Sequence, residues 1–366
     1  MDQKEIELFK SLCSFKLGSF DDTLLKFATP EVLGYLFFNR MQSIAYGTLL
    51  QHEMLGKVNR EFRNSLKLVY EQNIKKNKSY FWCVQYLEKL LSDSNCQYAM
   101  LKGAYLCYCY PKGYRTSNDI DLLVHPNDVT EIGNVLSDAG FKQGHVCNEK
   151  FIPASRKEII ESRMMRGETV PYIKEINLPG IPFLEVDINF SLDYKPGYTT
   201  IIKKIISNII VVEKPDGFKI HTLSEEDFFI HLCSHLYKEA TTLPWIEMKR
   251  DMTLYKYCDI YMLLSNATKE YIDKLFVRAR ELHMDKVCAF AVIQMSKLFY
   301  FKNDYAIMIS KSILEACQDF IHTVIAPRIK KKYVYFEKDI SKRFFNNQRK
   351  NLLKEVGACE KTKYAN

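Results

Sequence analysis

Two short stretches of this chain, Met100-Leu-Lys-Gly-Ala-Tyr-Leu106 and Arg115-Thr-Ser-Asn-Asp-Ile-Asp-Leu-Leu-Val124, decide how the sequence is interpreted. The first has the small residues of a turn that leads into a helix, and the second has the alternation of a β-strand. Because successive side chains of a strand point to opposite faces, Asp119 and Asp121 share one face. Two neighbouring carboxylates repel each other unless a cation lies between them. The strand therefore predicts a cation site on its acidic face.

An Asp-x-Asp pair can also be a solvated pair at a strand end, with no catalytic role. The residues around this pair argue against that alternative, because Ile120, Leu122 and Val124 are apolar enough for the strand to be buried. Burying two carboxylates without compensation costs on the order of several kcal/mol. The pair therefore predicts a metal ion or a basic partner, and a metal held by few protein oxygens suits phosphoryl and nucleotidyl transfer.

A family resemblance is carried by Leu101-Lys102-Gly103-Ala104, Tyr110-Pro111, Arg115, Asp119-Ile-Asp-Leu-Leu-Val124, Asp128, Leu136 and Gly140-Phe141. This pattern resembles the polymerase-β-type nucleotidyltransferase superfamily. Within it, the pattern is most similar to the largely uncharacterised bacterial nucleotidyltransferase family with an LKG…R…DIDLLV core. The resemblance covers residues 95–190 and extends more loosely into both flanks. It implies an α+β fold, with a small mixed β-sheet nucleotidyltransferase core flanked by N-terminal and C-terminal helical domains.

The resemblance also implies the chemistry. Such enzymes hold a nucleoside triphosphate and two Mg²⁺ (or Mn²⁺) ions at the edge of a short mixed sheet, and transfer a nucleotide to an acceptor hydroxyl with release of pyrophosphate. Asp119 and Asp121 would be catalytic and metal-binding, and a third carboxylate is expected on a neighbouring strand. The alternation of Ile181–Phe190 places Glu185 and Asp187 on one face. Asp187 is the predicted third ligand, with Glu185 as the second choice.

Three residues near the acidic strand are predicted to bind the triphosphate. Gly103 would let a phosphate approach the backbone, Lys102 would supply a point charge, and Arg115 could contact two phosphate oxygens at once. Arg115 could instead be an exposed turn residue. The wider superfamily usually has Gly-Ser or Gly-Gly at this turn, whereas this turn has no hydroxyl. Members of the most similar family also tend to have a histidine where this chain has Asn189.

His235 and Lys238 are further candidates for contact with the nucleotide or the acceptor. They lie one turn apart on a predicted helix, and could face the nucleotide or the acceptor as helical domains do in antibiotic nucleotidyltransferases. Core packing for His235 and a surface position for Lys238 are the alternatives.

Changes in residue pattern along the chain predict three domains. Residues 1–95 have apolar residues at helical spacing and few Gly or Pro, so they are predicted to form an N-terminal helical domain. Residues 96–216 hold the alternating segments, including a β-hairpin around Pro179-Gly180, and are predicted to form the catalytic core. Residues 217–366 are predicted to form a C-terminal helical domain with a basic tail, whose first helix is capped at Ser224.

The composition excludes several classes of protein. With 366 residues, 47% of them hydrophobic and 26% charged, the chain is ordinary globular material. It has no apolar N-terminal signal and no apolar run long enough for a bilayer, so we expect a cytoplasmic protein without membrane contact. Eleven scattered cysteines without a Cys-x-x-Cys pair predict reduced thiols. The glycine-rich phosphate loops and the serine elbow of other enzyme classes are absent.

The charge of the chain is concentrated at the C-terminus. Residues 326–366 hold twelve Lys or Arg and four Asp or Glu, a net +8 that equals the formal net charge of the whole chain. Aromatic residues, including Tyr333, Tyr335 and Phe344, are interleaved with these charges. The segment could bind nucleic acid, or it could be a basic helix and tail that packs against the protein.

The sequence therefore predicts a metal-dependent nucleotidyltransferase that moves a nucleotide, most simply AMP from ATP, to a hydroxyl of a small-molecule acceptor. The first alternative is a toxin-like nucleotidyltransferase that modifies tRNA or protein. A non-catalytic nucleotide-binding module is the second, disfavoured because it would have no use for three mutually repelling carboxylates. The sequence names neither the acceptor nor the oligomeric state.

Overall fold

A computed structural model describes residues 1–192, 199–214 and 217–358 of the chain. The chain divides into two compact units. The first, called here the sheet unit, is residues 71–228, and the second, called the helical unit, is residues 1–70 together with 229–366. The two units are described separately.

The sheet unit is built on a six-stranded mixed sheet in the order β1-β2-β6-β5-β3-β4. Strand β2 pairs antiparallel with β1 and parallel with β6, and the remaining pairs are antiparallel. The strands are β1 (Tyr98–Met100), β2 (Asp119–Val124), β3 (Lys142–Cys147), β4 (Lys150–Pro153), β5 (Tyr172–Leu178) and β6 (Ile181–Asn189). A separate hairpin pairs β7 (Ile209–Glu213) with β8 (Lys219–Leu223).

Helices of the sheet unit follow the strands. A long helix, α4 (Arg60–Leu91), begins in the helical unit and continues into the sheet unit. The others are α5 (Gly103–Cys109), α6 (Val129–Asp138), α7 (Arg156–Met165) and α8 (Thr199–Ile206). The mixed sheet and its helices confirm the predicted α+β class.

The core of the sheet unit explains why β2 forms where the alternation predicts it. Ile120, Leu122 and Val124 are fully buried, and they pack in one cluster with Val84 and Leu87 of α4. Full burial of each such side chain contributes about 1.5–3 kcal/mol. The apolar face of β2 is thereby fixed against the core, and its acidic face is fixed on the opposite side.

The predicted hairpin around Pro179-Gly180 is confirmed. Strands β5 and β6 pair antiparallel on either side of this turn, and Gly180 adopts a positive φ of 76°, which glycine accepts without strain. Along β6, Leu184, Val186 and Ile188 are buried while the residues between them are half-buried. The alternation predicted for this segment is therefore also confirmed.

The helical unit contains α-helices from both ends of the chain. They are α1 (Gln3–Cys13), α2 (Pro30–Phe38), α3 (Gln42–Gln51), most of α9 (Glu225–Ala240), α10 (Leu243–Glu247), α11 (Leu254–Leu264), α12 (Lys269–Glu281), α13 (Asp285–Leu298), α14 (Asp304–Leu314) and α15 (Ile340–Phe344). The predicted cap of α9 is present, because the Ser224 hydroxyl accepts a hydrogen bond from the Asp227 amide at 3.3 Å.

The C-terminal segment differs from the prediction of helix to the end of the chain. It contains a three-stranded antiparallel sheet of β9 (Thr323–Ala326), β10 (Lys331–Tyr335) and β11 (Leu353–Ala358). The reason is visible in β10, where Tyr333, Val334 and Tyr335 are aromatic or β-branched residues that favour strands, and Tyr335 lies in the core. The predicted tail residues Glu360, Lys361 and Lys363 lie outside the described residues.

The grouping of segments into units also differs from the three predicted segments 1–95, 96–216 and 217–366. Residues 1–70 group with 229–366, and most of α4 groups with the sheet. Local periodicity predicts helices but not which distant segments pack together. Whether the three segments act as separate domains stays a prediction.

The longest described helix is α4, with 32 residues and charged side chains along its length. Across the three described stretches of the chain, no helix is both long enough and apolar enough to pass through a bilayer. The cytoplasmic location stays a prediction. The described cysteines are free thiols.

Candidate active site

Four carboxylates lie on one face of the two parallel strands β2 and β6. In their register Asp119 is opposite Glu185, and Asp121 is opposite Asp187. Neighbouring strands are about 4.8 Å apart, and residues two apart on a strand share a face. The structure therefore brings the predicted residues Asp119, Asp121 and Asp187 together, with Glu185 as a fourth acid beside them.

Lys102 supplies the opposing charge. Its Nζ donates to Asp121 Oδ1 at 2.7 Å, and the Asp121 side chain is only 7% exposed. The turn that carries Lys102 is itself attached to β2, because the Leu101 amide donates to the Asp121 carbonyl at 2.9 Å. Burial lowers the pKa of the ammonium, but attraction by Asp121, Asp119 and Asp187 outweighs burial and raises it. Lys102 is therefore a protonated basic partner inside the site.

The carboxylates differ in their pKa values. Burial, followed by repulsion from Asp121, Asp119 and Glu185, raises the pKa of Asp187 well above its usual value. Burial would also raise the pKa of Asp119, but Lys102 and a hydrogen bond from a neighbouring hydroxyl lower it overall. Asp119 is thus held as a carboxylate, whereas Asp187 binds a proton more readily. Separation of pKa values within one acidic group is typical of acid–base chemistry.

The backbone of Lys102 is strained. Its φ of 43° and ψ of −116° place it in a region that glycine accepts and other residues rarely adopt. Residues 101–104 form a turn in which the Ala104 amide donates to the Leu101 carbonyl at 3.2 Å. The glycine of the Lys-Gly pair is therefore not at the position with positive φ. A lysine held there by its surroundings indicates a side chain that is needed in the site.

Gly103 has a different structural reason for being glycine. A Cβ atom at this position would lie 2.6 Å from Ser117 Cβ, 2.8 Å from Ser117 Oγ and 2.9 Å from the Tyr80 hydroxyl oxygen. The close approach at Gly103 is thus made by protein side chains. The predicted approach of a phosphate to this turn stays a prediction.

Ser117 and Tyr80 are the site residues that sequence reasoning missed. The Ser117 hydroxyl donates to Asp119 Oδ1 at 2.7 Å, and the Tyr80 hydroxyl donates to the Asp119 carbonyl at 2.8 Å. The Lys102-Gly103 turn has no hydroxyl of its own, but the Ser117 hydroxyl lies next to it. The sequence could have indicated Ser117, because residues 117, 119 and 121 share one face if the strand is extended backwards by two residues. Nothing local to Tyr80 indicated its role.

Arg115 and Asn189 lie at the margins of the acidic face. Arg115 is half-buried, its guanidinium donates to the neighbouring Thr116 carbonyl, and its own carbonyl accepts from Asn77 Nδ2 at 3.0 Å. Its charge helps to lower the pKa of Asp119. Asn189 Nδ2 lies 3.4 Å from Asp121 Oδ1. Contact of Arg115 with phosphate stays a prediction.

The other two predicted nucleotide-binding residues belong to the helical unit. His235 and Lys238 lie on α9 beyond residue 228, where this unit resumes. His235 Nε2 is 3.3 Å from Glu239 Oε1. Their predicted role toward the nucleotide stays a prediction.

The donor set of the acidic face suits a hard divalent cation, which prefers carboxylate oxygens. Burial, and then negative charge that Lys102 only partly offsets, raises the pKa of Asp187. As the side chains stand, the described part of the chain contains no three His, Cys, Asp or Glu that could jointly hold a metal ion. Lys102 Nζ contacts Asp121 Oδ1, an oxygen that a metal ion would use. Metal binding by Asp119, Asp121 and Asp187 stays a prediction.

An acidic strand that follows a Lys-Gly turn in a mixed sheet is the arrangement expected of a nucleotidyltransferase. A comparison with family models agrees, because the model described as an uncharacterised nucleotidyltransferase matches residues 26–300. This range is more than half of the chain and contains all four carboxylates. The chain therefore belongs to this nucleotidyltransferase family, and it is an enzyme of that class. The prediction that the LKG…R…DIDLLV core defines a narrower family within the superfamily stays a prediction.

Among solved structures, the chain is similar to the crystal structure of an antigenic nucleotidyltransferase-like protein from Paracoccidioides brasiliensis. The two share 14% sequence identity, the match covers 54% of this chain and 88% of the other, and the TM-score is 0.29. Among curated proteins, none matches this chain.

Replacing Lys102 with Gly or with Ala separates backbone strain from charge. Both variants remove the ammonium that opposes Asp121, so we expect both to lose nucleotidyl transfer. Only glycine adopts the observed φ and ψ without strain, so Lys102→Gly should be more stable than Lys102→Ala by about 1–2 kcal/mol. Chemical unfolding of the two variants measures this difference. Equal stabilities would mean that the turn stores no strain.

Gly103→Ala should destabilise the protein by about 1–3 kcal/mol, because the added Cβ overlaps Ser117 and Tyr80. The matched control is Gly34→Ala in the exposed part of α2, where an added Cβ meets nothing within 4 Å. That control should be neutral or stabilising by up to about 1 kcal/mol. The prediction fails if thermal unfolding shows the two variants to be equally stable.

Proposed function

We propose that this enzyme transfers a nucleotide, AMP from ATP, to a hydroxyl group of a small-molecule acceptor and releases pyrophosphate, with Mg²⁺ or Mn²⁺ as cofactor. The observation that carries the proposal is the group of four carboxylates on the shared face of β2 and β6. A basic side chain, Lys102, lies within this group. Membership of a nucleotidyltransferase family supplies the reaction class.

In the proposed mechanism Asp119 and Asp121 hold the cation that accompanies the triphosphate. When bound, that cation would neutralise part of the negative charge of the phosphates. Ser117 keeps Asp119 oriented through its hydrogen bond, and Tyr80 holds the main chain of β2 through the Asp119 carbonyl. The acidic face is thereby preorganised before substrate binds, which is where most electrostatic catalysis originates.

Lys102 would have two successive partners. Its ammonium neutralises Asp121 in the structure, and we propose that it turns to the triphosphate when a cation takes its place beside the carboxylates. Arg115 would add a second positive charge for phosphate oxygens, since a guanidinium can contact two of them at once. These movements need only side-chain rotation.

Asp187 is proposed to act on the acceptor. Its raised pKa makes it the better proton acceptor of the group. It would take the proton of the acceptor hydroxyl as the hydroxyl oxygen bonds to the α-phosphorus and the bond to pyrophosphate breaks. Glu185, whose pKa is also raised by burial and then by Asp119, is the second choice for this role.

The basic C-terminus gives no specific support for a nucleic-acid acceptor. Within residues 326–358, Arg343 and Arg349 are buried. Lys331 pairs with Glu355 and Lys350 pairs with Glu247, each at 2.7–2.8 Å. Four basic residues of this segment are therefore buried or paired within the fold, and we retain the small-molecule acceptor. The prediction that this segment binds nucleic acid is tested by the assay below.

The assay incubates the protein with each radiolabelled nucleoside triphosphate, Mg²⁺ or Mn²⁺, and a cell extract separated into small-molecule, RNA and protein fractions. We expect label from ATP to enter the small-molecule fraction in a metal-dependent reaction. Label in RNA or protein instead would transfer the proposal to a macromolecular acceptor. No transfer to any fraction with any triphosphate would count against nucleotidyl transfer.

Asp119→Asn and Asp121→Asn should each reduce turnover in this assay by at least about 10²-fold, since each removes one of the charges that hold the cation. Asp138→Asn, at an exposed position on α6 of the same unit, is the matched control and should keep full activity. Calorimetric titration with Mn²⁺ gives a second readout, in which the two site variants should bind more weakly. Full turnover by Asp119→Asn would end this assignment.

Asp187→Asn should depress the rate of transfer strongly while leaving ATP affinity largely intact, because its proposed partner is the acceptor. Glu185→Gln, two residues away on the same face, should have a much smaller effect. Single-turnover rates and equilibrium ATP binding separate the two properties. The reverse result, with Glu185→Gln inactive and Asp187→Asn active, would exchange the two roles.

A further inference from the structure

The side chain of Arg343, on α15 of the helical unit, is a buried charge. Its side chain is 1% exposed, and its guanidinium carbon lies 4.5 Å from the centre of the Tyr335 ring. In the described part of the chain, Arg343 Nε and Nη2 have no hydrogen-bond acceptor. These two nitrogens form the side edge of the guanidinium, which matches the paired oxygens of a carboxylate or phosphate.

Other unsatisfied polar groups surround the same arginine. The hydroxyls of Tyr257 and Tyr335 and the Nδ1 atom of His322 are buried and have no partner among the described residues. The charge of Arg343 acts on all three side chains, as its influence on their pKa values indicates. The cluster formed by Arg343, Tyr257, Tyr335 and His322 is called here the arginine cluster.

The acids near the arginine cluster are already used. Asp251 accepts hydrogen bonds from Arg349 Nε and Nη2, both at 2.8 Å, in a buried bidentate pair. Glu337 is half-buried, and its Oε1 accepts from the Asp339 amide at 2.9 Å. Burial lowers the pKa of His322 to about 4, so this imidazole is neutral at pH 7. Asp251 is paired with Arg349, and Glu337 acts on the charge of Arg343 without accepting a hydrogen bond from its Nε or Nη2.

The Nε and Nη2 edge of Arg343 has no carboxylate in direct contact among the described residues. A guanidinium stays protonated in proteins. Arg343 therefore remains charged, and the free-energy cost of burying that charge is not relieved by loss of a proton. A buried ion without a partner destabilises the folded protein by on the order of several kcal/mol. Internal water can satisfy hydrogen-bond donors, but it brings no negative charge.

We propose that the arginine cluster binds a small oxyanion, a phosphate or a carboxylate, within the helical unit. Arg343 Nε and Nη2 bind two of its oxygens, and the hydroxyls of Tyr257 and Tyr335 donate to the anion. Because the binding atoms are inaccessible to solvent, the anion is enclosed and stabilises the folded unit. This site is independent of the proposed nucleotidyl transfer, whose residues lie on β2 and β6.

The test measures thermal unfolding at constant ionic strength while chloride is replaced by inorganic phosphate or by acetate. A ligand that binds only the folded state raises its stability with ligand concentration. We expect the unfolding midpoint of the wild type to rise with one of the two anions, and that anion identifies the phosphate or carboxylate source. Lys102→Ala is the control for phosphate that binds at the transfer site instead. This variant loses the proposed phosphate contact there, so it should keep a response that comes from the arginine cluster.

Arg343→Met should abolish the response, and Lys342→Met, which removes an exposed charge from the adjacent residue of α15, should not. An anion already retained during purification would be detected as added mass in native mass spectrometry of the wild type, lost on denaturation and absent from Arg343→Met. Tyr335→Phe covers the case in which Arg343→Met does not fold. This variant keeps every charge and should weaken anion binding about tenfold.

Three results would overturn the proposal. The first is a wild type that shows neither an anion-dependent midpoint nor a retained anion. The second is an Arg343→Met variant with the same anion response as the wild type. The third is a Tyr335→Phe variant that is as stable as the wild type, or more stable, at every anion concentration. That last result would mean that the hydroxyl has no partner to lose.

Discussion

The repulsion between carboxylates on β2 and β6 is the constraint on which the rest of the sheet unit depends. The parallel register places Asp121 beside Asp187, an arrangement that is unfavourable without positive charge. Lys102 meets part of that need, and it does so from a backbone conformation that lysine rarely adopts. The strained turn, the basic partner and the proposed cation follow from one electrostatic problem. Each is hard to account for without the other two.

Much of the sheet unit was predictable because its determinants are local. Alternation predicts β2 and β6, and the Pro179-Gly180 turn predicts their hairpin with β5. The carboxylates could be assigned to a common site only through the family resemblance, since nothing local shows that β2 pairs with β6 in parallel. Tyr80 was missed for the same reason, because its hydroxyl reaches β2 from a distant helix.

The C-terminal segment shows a second limit of sequence reasoning. Its basic residues suggested either a solvated tail or a nucleic-acid surface, yet Arg343 and Arg349 are buried. Net charge describes composition and does not show which charges are enclosed by the fold. The bidentate pair of Arg349 with Asp251 joins residues far apart in the chain, which no local pattern indicates. The strands β10 and β11 were missed because their apolar residues are few and are mixed with charged residues.

The register of β6 links the acidic face to the hydrophobic core, so a mutation that shifts the register affects both. A strand alternates its faces with a period of two, so a slip of one residue in β6 would turn Asp187 inward and Leu184, Val186 and Ile188 outward. Such a chain would lose its core together with its acidic face. A one-residue insertion or deletion that shifts the register of β6 would therefore cause misfolding. The packing that forms the core thereby also maintains the positions of the proposed catalytic carboxylates.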